Sequence, residues 1–186
     1  MKNSIKIFGL LTLGLFTMSS FGFWEEKLTI NKTKVSFFSH TPVEDITAVN
    51  YKTVGTLDKQ TGEVVFSVPM QSFEFDKALM QKHFNSPDFL DTKSHPKSKF
   101  VGKVENLSEI NLSKEGSYPA KVSGSLTIKD KSNPINENGT ITVKGGKVHV
   151  QTKFDVTLAD YGITFVKGKP STNIAKNVTI NFEGEF

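Results

Sequence analysis

The feature that most constrains this chain is an alternation of apolar and polar residues with period two, repeated along most of its length. In "KVHVQTKFDVTL", Val148, Val150, Thr152, Phe154, Val156 and Leu158 fall on one face, and Lys147, His149, Gln151, Lys153 and Asp155 on the other. Successive side chains of an extended strand point to opposite faces, so the segment is predicted to be a strand with one wet side. Gly145 and Gly146, just before it, mark a hairpin turn. "KVSGSLTIK" repeats the pattern through Val122, Gly124, Leu126 and Ile128, and "NVTINFEGEF" does so through Val178, Ile180, Phe182 and Phe186. Earlier, Val35 and Phe37 alternate in "KVSFFS", Val64, Phe66 and Val68 in "VVFSVPM", and Phe100, Gly102 and Val104 in "SKFVGKV". Strands joined by short turns, with no alternating helices, predict an antiparallel meander, either a sandwich or a closed barrel. A sheet of roughly eight strands with one polar face must bury the other face, and closing on itself also removes its free edges.

One segment departs from the alternation. In "ALMQKHFNSPDFLDTKSHPKSKF", Leu79, Met80, His83 and Phe84 recur at helical spacing, with Asp76 placed as an N-cap. Ser86 and Pro87 then read as N-cap and first position of a second short turn carrying Phe89 and Leu90, and Pro96 ends the excursion. The prediction is a short helical insertion near residues 76–92, apolar on one side, lying between two strands.

Composition removes several classes of chemistry. The chain has no Cys, which excludes disulfides, thiolate nucleophiles, Cys-based zinc sites and iron–sulfur clusters. Stability must then come from packing and sheet hydrogen bonds. All 23 basic residues are Lys, spread along the strands, so there is no Arg to grip a phosphate or a guanine bidentately. Nucleic-acid binding is not expected. His40, His83, His95 and His149 are the whole imidazole supply, and no pair has the spacing of a helical zinc motif, so no metal site is expected. There is no G-x-S-x-G elbow, and Asp88 and Asp91 read as capping residues of the turn, so no catalytic residue is assigned.

The first residues carry a different signal. Lys2 and Lys6 precede an apolar run over 7–16, and the small residues Ser20 and Gly22 follow where a signal peptidase reads them. The run is far short of the roughly 20 residues that cross a bilayer. Residues 1–22 are therefore expected to be a cleaved signal peptide and residues 23–186 a single exported domain, periplasmic or secreted and not integral to a membrane. Of the formal charge of +4, Lys2 and Lys6 supply two, which leaves +2 on the remainder.

Three segments, "HFNSPDFLDTKSHPKSKF", "GSLTIKDKSNP" and "DVTLADYGI", resemble the anchor motifs of the YceI-like, polyisoprenoid-binding, lipocalin-type proteins. His83, Phe84, Ser86, Phe89, Leu90, Asp91 and Pro96 match the first motif. Leu126, Thr127, Ile128, Lys129 and Pro134 match the second, with Asp130 where the family usually has Gly. "VSFFSHTPVEDITAVN" is similar to the opening segment of a divergent branch. Met80 and Gln81 stand where the family often has Arg-Asp, and Lys32 and Thr33 stand where it has an early His-Ser.

The resemblance implies an all-β fold, an antiparallel eight-stranded lipocalin-like barrel with the helical segment near its mouth. It also implies a lumen that holds a polyisoprenoid, an isoprenoid quinone or another lipid, with no cofactor besides that ligand. Phe37, Phe66, Val68, Phe100, Leu126, Ile128 and Phe154 would line the lumen. Leu79, Met80, His83, Phe84 and Phe89 would lie across its opening. A non-enzymatic carrier follows, compatible with a homodimer. The alternatives are a ligand-free barrel filled by its own side chains, acting in surface or stress-related interactions, and a weak hydrolase. A barrel of about eight strands is just wide enough for either a packed interior or one slender ligand. N-terminal sequencing of the mature protein is expected to begin near Phe23, and an intact Met1 on membrane-bound protein would overturn the export reading.

Overall fold

Each alternating segment forms a strand in the computed structural model, which describes residues 27–42, 44–164 and 175–186. The predicted signal peptide lies outside the described residues. The strands are β1 (Lys27–Thr29), β2 (Lys32–His40), β3 (Asp45–Asn50), β4 (Val54–Asp58), β5 (Glu63–Pro69), β6 (Glu74–Phe75), β7 (Lys97–Val104), β8 (Gly116–Ile128), β9 (Lys131–Lys144), β10 (Lys147–Thr157) and β11 (Asn177–Glu185). All pair antiparallel in one strongly curled sheet, in the order β1-β4-β5-β7-β8-β9-β10-β11-β2-β3-β6. One short helix, α1 (Ala78–Asn85), leaves it between β6 and β7.

The curl can be read from the backbone. β1 opens the sheet order and β2 stands near its far end, yet only Ile30 and Asn31 separate them along the chain. The Ile30 N–H donates to the Gly55 carbonyl at 3.0 Å on one side, and the Asn31 N–H donates to the Glu185 carbonyl at 2.7 Å on the other. The sequence reading of about eight strands becomes eleven because two long strands are each interrupted and β6 adds a two-residue pairing with β3. β1 and β2 run against β4 and β3 in one shared register, Leu28 opposite Leu57 and Val35 opposite Asn50. The interruption at 51–53 is held by the fully buried Asn50, whose amide donates to the Pro69 carbonyl and whose oxygen accepts the Lys52 N–H, both at 2.7 Å. A buried amide keeps its place only when its polar atoms are paired.

The inner face of the sheet carries glycines under aromatic rings. Gly102 and Gly124 lie opposite each other on β7 and β8. A Cβ on Gly124 would fall 2.5 Å from the Val101 carbonyl oxygen and 2.7 Å from the Phe100 ring, so that ring occupies the space a side chain would need. Phe66 lies over Gly55 and Phe182 over Gly184 in the same way. Such pairs let a sheet bend sharply without opening a hole.

At one end of the curl Leu57, Val64, Val104, Ile110, Ala120, Ile141, Val143, Val148 and Phe186 form a tight floor. At the other end α1 and the turns after it lie across the opening. The helix begins one residue later than expected: Lys77, not Asp76, is the N-cap, and its carbonyl accepts the Met80 and Gln81 N–H groups. Ser86 is the C-cap, its hydroxyl donating to the His83 carbonyl at 2.7 Å, while its own carbonyl accepts Phe89 and Asp91 to start the next turn. The β8–β9 hairpin clips this segment down. Its tip, Lys129 and Asp130, takes positive φ values of 50° and 60°, and the Lys129 ammonium donates to the Phe89 carbonyl at 2.7 Å.

Because Gly124 has no room for a side chain, Gly124→Val is expected to destabilise the fold by about 1–3 kcal/mol, the usual range for overpacking. Urea unfolding checks this, and an unchanged midpoint would show that the wall is not closely packed there.

Candidate binding cavity

Between the floor and α1 the curled sheet encloses a cavity of about 450 Å³. Its size falls within the range typical of small-molecule sites. Each strand contributes the residues that alternation turns inward. β5 supplies Val64, Phe66 and Val68, β7 supplies Phe100, and β8 supplies Val122, Leu126 and Ile128. From the opposite side come Val150, Phe154 and Val156 of β10 and Val178, Ile180 and Phe182 of β11. Leu57, Val104, Ala120, Ile141 and Phe186 form the bottom.

The roof is aromatic. Phe84, only 6% exposed, stacks on Phe37 with the rings 12° from parallel and their centroids 5.6 Å apart. Phe73 and Phe75 stand against Phe84 at 5.4 and 5.1 Å, and Phe89 joins at 6.2 Å. Offset and tilted contacts of this kind add about 0.5–1.5 kcal/mol each beyond the area they bury. Met80 and His83 complete the roof from α1.

All of the residues expected to line the lumen or its lid border this cavity except Leu79, which is 58% exposed and points away. That expectation fails for a geometric reason. Successive helical residues turn by about 100°, so Leu79 lies about 140° around the helix from Phe84, whereas Met80 and Phe84 are one turn apart and share a face. Met70, Phe73, Phe75 and Glu137 also line the cavity but were not singled out from sequence. Phe73 and Phe75 carry a period-two signal in "SFEF", too short to stand out beside the helical pattern that follows.

The cavity's polar lining is sparse and of one sign. Glu44, Asp88 and Glu137 are the carboxylates and His83 the one imidazole, and no Lys lines it among the described residues, in a chain with 23. Glu44 is joined to Lys77 at the outer edge of the mouth. At the rim Tyr161 is buried, and that burial, ahead of its other neighbours, pushes its phenol above the ordinary range. Among the described residues no group of three or more His, Asp or Glu comes together as a metal site. EDTA treatment is expected to leave the thermal midpoint unchanged, since a structural metal contributes folding free energy that a chelator removes. A drop of several degrees that one metal restores would contradict this.

The family model described as the YceI-like domain matches residues 27–186. Among curated proteins, UPF0312 proteins of Pseudomonas putida (strain W619) and Pseudomonas syringae pv. syringae (strain B728a) are 28% and 30% identical over 113 residues. The match covers 58% of this chain and 54% of each relative, so the chain spans about half the length of the curated relatives it matches. Among solved structures, a polyisoprenoid binding domain from Saccharophagus degradans, implicated in plant cell wall breakdown, superposes with a TM-score of 0.72 at 12% identity, covering 86% of this chain and 97% of that one. BcnA of Burkholderia cenocepacia gives a TM-score of 0.68 at 18% identity over 83% of this chain and 96% of its own. The YCEI protein of Campylobacter jejuni gives 0.56 at 18% identity, with 98% of both chains covered.

Proposed function

Starting from a chain that belongs to the YceI-like domain family, we propose that it is an exported, non-enzymatic carrier that holds one long apolar chain, a polyisoprenoid or another lipid, inside its curled sheet. The observation that carries this reading is the cavity of about 450 Å³, walled by Phe, Val, Leu and Ile side chains and roofed by a helix. In this reading the two interrupted strands count as one each, and the sheet works as an eight-stranded lipocalin-like barrel. The hydrogen bonds of Ile30 and Asn31 to opposite neighbours support that count. The Saccharophagus domain, described as polyisoprenoid binding, supports the choice of ligand class.

Retention would need no catalytic group. Each buried methylene is worth about 0.8 kcal/mol, so several isoprene units are held by desolvation and shape. The floor side chains would stop the chain end, and the flexible Met80 and the ring of Phe84 would close over it. No helix among the described residues is long and apolar enough to cross a membrane. The site of action we assign, periplasmic or extracellular, rests on the leader pattern. The hollow favours the carrier over a barrel filled by its own side chains.

Native mass spectrometry of the purified protein, followed by organic extraction, is expected to show a discrete apolar adduct. Repeated clean ligand-free spectra would favour the filled barrel. Met80→Glu places a carboxylate against the apolar chain and is expected to weaken lipid reloading by ~10-fold or more, because a charge facing hydrocarbon costs several kcal/mol unless it reaches water or is protonated. Lys99→Glu, on the outer face of β7, is the control and should reload like wild type. If Met80→Glu reloads equally well, α1 is not a lid.

A further inference from the structure

The wall of the cavity is incomplete at one place. β8 and β9 pair along their whole length, from Gly116 opposite Val143 to Ile128 opposite Lys131. β9 and β10 pair only from Lys147 opposite Lys144 to Thr152 opposite Gly139. Beyond that point residues 131–138 and 153–157 run on with no ladder between them, though each stays tied on its other side, to β8 and to β11. Pro134, which has no N–H to give, falls in the unpaired stretch, where a strand tolerates it.

A slot results, closed at both ends. At its foot the Thr152 hydroxyl donates to the Asn138 carbonyl at 2.9 Å, and at the rim the Asn133 amide donates to the Asp160 carbonyl at 3.0 Å. Gly139 marks the point of divergence, where a Cβ would come within 2.7 Å of the Gln151 carbonyl oxygen.

The cavity runs into this slot. Besides the inward Glu137 and Thr152 it is bordered by Thr140 and Gln151, which alternation turns outward. A second hollow, of about 430 Å³ on the outer surface, shares Gly139, Thr140, Gln151, Thr152 and Phe182 with the cavity and adds Asn138, Lys153, Asn181 and Glu183. Lumen and surface thus adjoin through the wall across hydroxyl and amide groups.

Glu137 fixes the chemistry of the passage. It is half-buried on the inner face opposite Val122, and no hydrogen bond or ion pair joins its carboxylate to another described residue. An ionised carboxylate only accepts hydrogen bonds and repels a second anion. Lys153, the one cation bordering the outer hollow among the described residues, is exposed on the solvent side and shares that hollow with Glu183.

We propose that the slot between β9 and β10 is the head-group subsite of the lumen, and that it takes an apolar chain ending in an uncharged, hydrogen-bond-donating head, such as an alcohol, in preference to a phosphate or carboxylate head. The head's O–H donates to Glu137 while its oxygen accepts from the amide of Gln151. The chain extends from there over Phe154 and Val150 toward the floor. This deepens the carrier reading above and rests on it.

The test compares two probes with one chain. Farnesol and farnesyl phosphate are titrated against delipidated full-length mature protein loaded with neutral N-phenyl-1-naphthylamine, and displacement is read by fluorescence at pH 7.5. Farnesol is expected to bind ~10-fold or more tightly than farnesyl phosphate, and Glu137→Gln should narrow that ratio chiefly by improving the phosphate, as expected if charge repulsion sets it. Circular dichroism accompanies the variant, and the comparison on the unmodified protein does not depend on the variant folding. Equal affinities, or a preference for the phosphate, would overturn the proposal. So would a preference that survives Glu137→Gln but vanishes in Asp88→Asn, which would put the head at the helix mouth. Binding of neither farnesyl compound, nor of the naphthylamine, would remove the carrier reading itself and the subsite with it.

Discussion

Two backbone hydrogen bonds that point in opposite directions set the form of this molecule. Ile30 donates to β4 and its neighbour Asn31 donates to β11, so one short piece of chain must serve both ends of the sheet order. A flat or gently twisted sheet cannot meet that demand, because its first and last strands stand far apart. The curl follows from it, and the curl gives the sheet an inside. The inner face can then be largely apolar without meeting water, and the outer face can carry strand lysines such as Lys34, Lys99, Lys103, Lys121 and Lys153.

Whether an inside is hollow depends on how its volume is spent. Here phenylalanines lie along the wall instead of reaching to the centre, because glycines beneath them leave room: Phe100 over Gly102 and Gly124, Phe66 over Gly55 and Phe182 over Gly184. Side chains fill the floor, where Leu57 and Ile141 are each about 1% exposed, and the roof is filled by the cluster around Phe84. Between these packed ends no described side chain fills the cavity. A dry apolar void forfeits dispersion contacts that a chain-like ligand would restore. The same arrangement explains how the fold can be stable around an open middle. Its packing lies at the two ends and in the sheet ladder, and the middle stays open.

The polar features gather at the edges of that middle. Glu44, His83 and Asp88 stand near the helix, and Glu137 stands at the slot where β9 and β10 part. In a wall made of hydrogen-bonded strands, an opening can form only where the ladder stops, and the unsatisfied backbone groups left there are themselves polar. The break in pairing and the inward Glu137 carboxylate thus fall at the same place in the wall. The turn after α1 is tied to the same hairpin that begins β9, since Lys129 donates to the Phe89 carbonyl.

β2, β5, β7, β8, β10 and β11 with their inward faces, and the helical excursion, were legible in the amino-acid sequence because side-chain periodicity is a local property, whereas the longest strand, β9, was not, since Asn133 and Glu137 stand on its inward face and break the apolar pattern. Phe37, Phe66, Phe100 and Phe154 could each be assigned to an inner face from their immediate neighbours, and the motif residues around His83 and Phe89 carried the family likeness. Leu79 was misplaced where a one-residue choice of helical face decides inside from outside. The count of eleven strands, the shared register across two interruptions and the open middle belong to the tertiary structure. Period two reports which way a side chain points, but not which backbone lies beside it or how far away the opposite wall stands. The slot is the clearest case. Residues 153–157 continue the alternation of β10, while along 131–138 Ile135 is the one apolar inward residue, and neither pattern tells that the two backbones run on unpaired beyond Gly139 and Thr152, because a side chain does not report which strand lies beside it.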